Sequence, residues 1–459
     1  VDNTQGYAEA YKDVIHEDAI RIGSATKAPD YCFRIGGTRK FFVEAKTPSV
    51  NLKDTPEPAC QVRRYAWSAK LPLSVLTDFE EFAVYDCRER PAPSDKASKG
   101  RVKYYRYTDY AEHWDEIAGI FSREAVLKGS FDRYAASEKR KKGTAQVDDA
   151  FLAEIEDWRD KLARNIALRN TDLSNRQLNY AVQITIDRII FLRICEDRGI
   201  ERYGELMALL NGTDLYPRLM SLFRKADDRY NSGLFHFQRE KDRHEGPDEL
   251  TPELVIDDKP LKEIIRSLYY PDSPYEFSVL PAEILGQVYE QFLGKVIVLT
   301  AGHHAKVEDK PEVKKAGGVF YTPSYIVDYI VQQTVGKLLE GATVTMGKRK
   351  PPKLDRPLRV LDPACGSGSF LLGAYQLLLD WYLDYYQKND PKAWAAIKEA
   401  PICQTGSLGW KLTTQERKRI LLDHIFGVDI DTEAVEVTKL SLLLRRCFES
   451  LKGCLSVVR

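Results

Sequence analysis

Residues 358–370 constrain the chain more than any other stretch. An apolar run, Leu358 to Leu361, ends at Asp362; Pro363, Ala364, Cys365, Gly366, Ser367 and Gly368 follow, and a long apolar-rich helix opens near Phe370. Residues this small let the backbone turn sharply after a strand and bring it close to a ligand. Strand, glycine turn and helix in that order are the rhythm of an open α/β sheet, whose ligand sites lie beyond the carboxyl ends of the strands. A second unit of the same kind, Ile425-Phe426-Gly427-Val428-Asp429-Ile430-Asp431, reads as a strand ending in an acid, Asp429 or Asp431. Such an acid can accept hydrogen bonds from both hydroxyls of a ribose.

The N-terminal region follows a different rule. Tyr7 to Arg21 is expected to be helical, and strand-like runs follow at Asp30–Ile35, Lys40–Lys46, Leu73–Thr77 and Phe82–Cys87. Gly36-Gly37 marks a hairpin turn between the first two. Strand side chains alternate between faces, so Glu44 and Lys46 share one side while Ala45 takes the other. Asp30, at the head of the neighbouring strand, can join them. Two carboxylates offer hard oxygen ligands to Mg²⁺, a metal that offsets charge on a phosphodiester transition state, and an ammonium can orient water or stabilise negative charge.

Between these regions the pattern is helical. Phe151–Ala167 and Asn175–Arg198 carry apolar residues at three- and four-residue spacing, with Gly199 as a natural stop for the second. Glu196 and Asp197 read as surface or packing residues, and no catalytic constellation is evident here. The charged run Ser137–Gly143 reads as a solvated linker.

Composition sets only loose bounds. The 459 residues suggest several domains of roughly 100–200 residues each. Basic and acidic residues number 68 each, so the formal net charge is zero and the total would not by itself suggest nucleic acid. Eight cysteines without a C-x-x-C pair do not read as a disulfide framework or a zinc site. With no long apolar stretch or signal-like opening, the expectation is a soluble protein of a reducing compartment.

Two resemblances follow from these motifs. Pro29-Asp30 with Glu44-Ala45-Lys46 resembles the PD-(D/E)xK nuclease superfamily, and Gln61-Val62-Arg63-Arg64-Tyr65 is similar to an accessory motif of its restriction nucleases. The resemblance implies a Mg²⁺ site at Asp30 and Glu44, catalytic assistance from Lys46, Gln61 and Tyr65, and a further acid on the first helix, for which Glu17 is preferred to Glu9. Asp362 to Phe370 resembles motif I of the N6-adenine DNA methyltransferases, and Val319-Phe320-Tyr321-Thr322-Pro323 resembles their motif X. That implies an S-adenosylmethionine pocket formed by Tyr321, Thr322, Pro323, Asp362, Pro363, Ala364, Cys365, Gly366, Ser367, Gly368, Asp429 and Ile430. The family pattern favours Asp429 over Asp431 as the strand-end acid, and makes Cys365 a packing residue.

The order of parts resembles the single-chain type IIG and IIL restriction–modification enzymes. It implies a multidomain α/β protein: a restriction-endonuclease-like domain over 1–136, an all-α connector over 137–300, and the beginning of a Rossmann-like class I methyltransferase over 301–459. The expected partner is double-stranded DNA, in a prokaryotic cytoplasm. Cutting both strands with one nuclease site often needs a second copy of the chain. No N-P-P-[YF] tetrapeptide, the family's adenine clamp, occurs in the sequence, so methyl transfer is expected to be inactive in a chain of this extent. Two other readings stay open: a methyltransferase-centred defence protein whose first domain binds DNA without cutting it, and an interaction fragment with neither activity.

Overall fold

The computed structural model describes residues 13–16, 21–22, 25–26, 29–35, 38–137, 147–230, 234–239, 246–280, 294–310, 322, 324–342, 344–345, 353–405, 409–430 and 432–448. The chain divides into two compact units, Val1–Ala150 with Tyr269–Pro281, and Phe151–Leu268 with Ala282–Arg459. The architecture is mixed α/β.

The first unit is built on one six-stranded sheet. Its strands in chain order are β1 (Val14–His16), β4 (Tyr31–Ile35), β5 (Thr38–Ala45), β6 (Leu73–Thr77), β7 (Glu81–Asp86) and β8 (Arg101–Arg106); the short β2 (Arg21–Ile22) and β3 (Ala25–Thr26) pair only with each other. The spatial order β1-β4-β5-β6-β7-β8 is antiparallel at every step except β5 to β6, which run parallel. Parallel neighbours cannot be joined by a tight turn, and helix α1 (Pro56–Ser68) makes the crossover. The two sheet faces carry separate cores. Phe42, Leu76 and Ala83 pack under α1 with Val62 and Tyr65, whereas Phe41, Val75 and Val84 face Phe131 on the other side.

The expected helix over Tyr7–Arg21 is overturned where the chain is described. Val14–His16 is a strand paired to Tyr31–Phe33, and Arg21 lies in β2. Adjacent β-branched residues, Val14 and Ile15, suit a sheet edge, where Ile15 is buried while its neighbour faces away. The four later strands fall within about a residue or two of expectation. The hairpin glycines Gly36 and Gly37 and the run 138–143 lie outside the described residues.

The helix Val147–Arg169, which lies in the second unit from Phe151 on, and the helix Asn175–Asp197 within that unit match their spacing signals. Ser174 and Gln177 close a reciprocal capping box at the start of the latter, and Gly199, at φ +67°, ends it. That helix is buried on nearly every side, not along one stripe. Glu196 and Asp197 are accordingly buried: Glu196 accepts from the backbone of Gly204 and Leu206, and Asp197 pairs with Arg193 at 2.7 Å. Farther on, β9 (Val360–Asp362) and β10 (Ile425–Gly427) pair in parallel, followed respectively by the helices Ser369–Lys388 and Thr432–Phe448. Among the described residues five cysteines are buried free thiols, but Cys403 is half of a disulfide, contrary to the sequence expectation.

Candidate functional sites

Register brings the first site together. Tyr31 pairs with Val43, which sets Asp30 opposite Glu44, and the Asp30 carboxylate accepts the Ala45 N–H at 2.7 Å. Glu44 shares the Phe42 face of β5, the face that α1 covers. Residues four apart on that helix, Gln61 and Tyr65, therefore come to the same side of the sheet as Glu44. Lys46 continues the ladder, its N–H bonding to Thr77 O at 2.9 Å.

The polar groups converge on one oxygen. Glu44 Oε1 accepts from Lys46 Nζ at 2.6 Å and from Gln61 Nε2 at 2.8 Å, while Gln61 Oε1 accepts from Lys46 Nζ at 3.2 Å. Glu44 is 2% exposed, and its second oxygen, Oε2, is buried with no hydrogen-bond partner among the described residues. Burial, and next the facing Asp30 carboxylate, push the Glu44 carboxyl up to about 7 against the pull of Lys46. Burial, then Glu276 and Glu44, hold the Tyr65 phenol well above its usual range, so it stays protonated.

A buried carboxylate oxygen without a donor, facing a second carboxylate, is a poor arrangement for a bare protein and a good one for a divalent cation. Mg²⁺ is commonly held by only one or two carboxylates, with water and phosphate completing its shell. The donor set of Asp30 and Glu44 fits it. Among the described residues no group of three or more metal-ligating side chains occurs. Glu17 and Glu9 lie outside the described residues.

The second site sits at the carboxyl ends of β9 and β10. Val428 N donates to Asp362 O at 2.9 Å and Cys365 N to Val428 O at 3.0 Å, which prolongs the parallel pairing into the turn. The side chains then lock the turn: Asp362 Oδ1 accepts Ala364 N–H at 3.1 Å, and Asp429 Oδ2 accepts Gly366 N–H at 2.8 Å. Gly368 has φ +84°, and a Cβ there would lie 2.8 Å from Thr438 Cγ2. Thr438 Oγ1 meanwhile donates to Gly366 O at 2.7 Å. Thr438, on the helix after β10, is thus a turn-holding residue that sequence reasoning missed.

Cys365 is buried and Ser367 likewise, whereas Pro363, Ala364 and Ile430 are exposed. Burial first, opposed by a hydrogen bond from Thr438, raises the Cys365 thiol; a packing role accords with that better than a thiolate's. Thr322 is half-buried just ahead of the helix Ser324–Val331, which packs on the helix after Gly368: a Cβ on Gly373 would meet Val327 Cγ1 at 3.0 Å. Tyr321 and Pro323 lie outside the described residues. Carboxylates at the ends of two adjacent parallel strands suit a ligand bearing an ammonium and vicinal hydroxyls, which is the chemistry S-adenosylmethionine presents.

Comparison with known proteins shows what the chain is similar to. Residues 352–450 match the family model described as MmeI, DNA-methyltransferase domain. The type II restriction enzyme and methyltransferase RM.Eco57I of Escherichia coli is 36% identical over 450 residues, covering 97% of this chain and 42% of that protein. The adenine-specific methyltransferase BrxX of Escherichia coli O9:H4 (strain HS) is 26% identical over 188 residues, 35% of this chain and 13% of its own. The chain thus spans less than half the length of either relative. The type IIG restriction endonuclease BpuSI covers 94% of the chain at 14% identity and a TM-score of 0.28, matching 38% of that structure, too loose a likeness to bear on the fold.

Proposed function

The chain is a relative of polypeptides that join a type II restriction enzyme to a methyltransferase, and from that premise we propose that it is a restriction–modification protein whose first unit cuts double-stranded DNA with Mg²⁺. Its C-terminal region holds S-adenosylmethionine for N6-adenine methylation. The parts run as a nuclease domain over 1–136, a helical connector over 137–300 and methyltransferase sequence from 301 onward. The protein would act in a prokaryotic cytoplasm, with self-association where both strands are cut.

The observation that carries the nuclease reading is the buried Glu44 carboxyl, set opposite Asp30 by the strand register, whose Oε2 has no hydrogen-bond partner among the described residues. Asp30 and Glu44 would hold the cation, which supplies Lewis-acid charge to the phosphoryl oxygen. Lys46, fixed from two sides by Glu44 and Gln61, points its ammonium into the same space. It can orient the attacking water and stabilise charge developing on the phosphate. Gln61 has no titratable proton and serves to hold Lys46 and Glu44 in register. Tyr65 closes the apolar side of the site as a neutral phenol. In the second site Asp429 would accept the ribose hydroxyls and Asp362 the amino group, with the left-handed Gly366 and Gly368 shaping the turn and exposed Ile430 offering apolar surface beside the base. S-adenosylmethionine, when bound, supplies the electrophilic methyl group.

The test is DNA cleavage in Mg²⁺ by the intact protein carrying Glu44→Ala or Lys46→Ala. Both should lose cutting by about a hundredfold or more. Undiminished cutting would leave the first unit as a DNA-binding domain only.

A further inference from the structure

The nuclease unit contains a piece of chain from far downstream. Tyr269–Pro281 belongs to the first unit although it follows Ala150 by more than a hundred residues. Its residues grip α1 and β5 at separate points. Glu276 is 2% exposed and pairs with Arg64 NH2 at 3.1 Å, while its own N–H donates to Ser68 Oγ at 2.9 Å. The other carboxylate oxygen, Oε1, accepts from Ser278 Oγ at 3.1 Å. Tyr270 lies under the Arg64 guanidinium at 4.7 Å, Tyr275 stacks on Trp67 at 5.6 Å, and Arg39 NH1 donates to Val279 O at 3.0 Å.

The gripped residues, Arg64, Trp67 and Ser68, interleave on α1 with the two that face Glu44. Gln61 lies one turn before Arg64, and Tyr65 is its chain neighbour. A shift of α1 by a fraction of a turn would part Gln61 from Glu44 without opening the sheet beneath. An ion pair on a buried carboxylate that other hydrogen bonds also hold fixes position more than it adds stability.

Resting on the nuclease reading above, we infer that Glu276 is a positioning residue of the DNA-cleavage site: through Arg64 and Ser68 it holds α1 in the register that sets Gln61 against Glu44. It touches neither DNA nor metal. The segment 269–281 is therefore part of the nuclease, though it sits in sequence among the connector's helices.

The test uses the full chain with Glu276→Gln, Glu276→Ala and the exchanged pair Arg64→Glu/Glu276→Arg, alongside Glu44→Ala. Cleavage of duplex plasmid DNA in Mg²⁺ gives kcat and KM, and amide exchange over 56–68 and 38–45 reports the two elements directly. Expected is a kcat loss on the order of ten- to a hundredfold with KM within about twofold, since misplacement costs rate more than binding. Exchange should quicken in 56–68 and stay slow in 38–45, and the exchanged pair should recover several-fold over either single change. Glu276→Gln, which keeps the shape, guards against simple unfolding of the Ala variant. Wild-type kcat in both single variants, with Glu44→Ala dead, overturns the positioning role and leaves the nuclease reading intact. So does a kcat loss matched by equally fast exchange in 38–45 with no recovery in the pair. Full cutting by Glu44→Ala removes the nuclease reading itself, and this inference with it.

Discussion

Gln61 Nε2 and Glu44 Oε1 are 2.8 Å apart, although the two residues stand seventeen positions apart in the chain, one on a strand and the other on a helix. The contact exists because α1 crosses over the Phe42 face of β5 and not over the Phe41 face. Gln61 is thereby a neutral brace: its amide gives a hydrogen to the carboxylate and takes one from Lys46. Replacing it with Ala should leave the fold intact and lower DNA cleavage by about tenfold or more, because Lys46 loses one of its two anchors. Gln61→Glu should do worse than Ala at neutral pH, since it adds a third carboxylate beside Asp30 and Glu44. Steady-state cleavage assays on the three proteins rank them.

The Glu44 carboxyl, pushed up to about 7, ties stability to pH. A folded-state value above the unfolded 4.5 means that the native protein binds the proton more tightly. The native state is then favoured below about pH 4.5 and loses that advantage as pH rises through 7. The difference is on the order of 3 kcal/mol at most. Glu44→Gln, which cannot ionise, should therefore melt higher than the wild type at pH 8 without metal, the gap closing towards pH 4.5. Mg²⁺ at pH 8 should raise the wild type and leave the variant unmoved. Thermal melts across that range read both effects.

Gly368→Ala meets two obstacles at once, a left-handed φ of +84° and a contact of 2.8 Å with Thr438 Cγ2. A loss of roughly 1–3 kcal/mol is expected. Adding Thr438→Ser removes that methyl while keeping the hydroxyl that bonds Gly366 O, and should return part of the loss. Denaturant midpoints of the single and double variants decide it.

Asp429→Ala should weaken S-adenosylmethionine binding by roughly ten- to a hundredfold, the range for losing hydrogen bonds to a charged acceptor. Asp431→Ala should leave it nearly unchanged. Calorimetric titration of the cofactor into the two variants separates the two acids of the motif; equal losses would sink the preference for Asp429.

What could be read in the sequence was local. Asp30, Glu44 and Lys46 follow from strand alternation across a short hairpin, and Gln61 with Tyr65 from helical spacing. The contact between those two groups could not be read, because no pattern says which sheet face a crossover helix will cover. Arg64 and Glu276 stand 212 residues apart, and nothing in either neighbourhood announces the other. Thr438 was hidden for a related reason: a threonine on an amphipathic helix gives no sign that it closes over a glycine turn. The misread segment at Val14–His16 was too short to show a period, and its pairing with Tyr31–Phe33 settled its form. The helix Asn175–Asp197 shows a further limit, since its apolar spacing implied one buried face while its polar residues are buried too, met by partners such as Asp248 and Thr251 around Arg188.

The return of Tyr269–Pro281 to the first unit sets an order of events during synthesis. At ~5–20 residues per second, roughly 130 residues must leave the ribosome after Ala150 before the piece bearing Glu276 exists. For those several seconds the sheet and α1 can form, yet the brace that holds Gln61 to Glu44 has not been made. A nascent chain, or one broken off within the connector, would carry every residue that the nuclease motif names and still lack the part that aligns them. If the first unit cuts DNA as proposed, its cutting geometry would be complete only after a good part of the second unit had been translated.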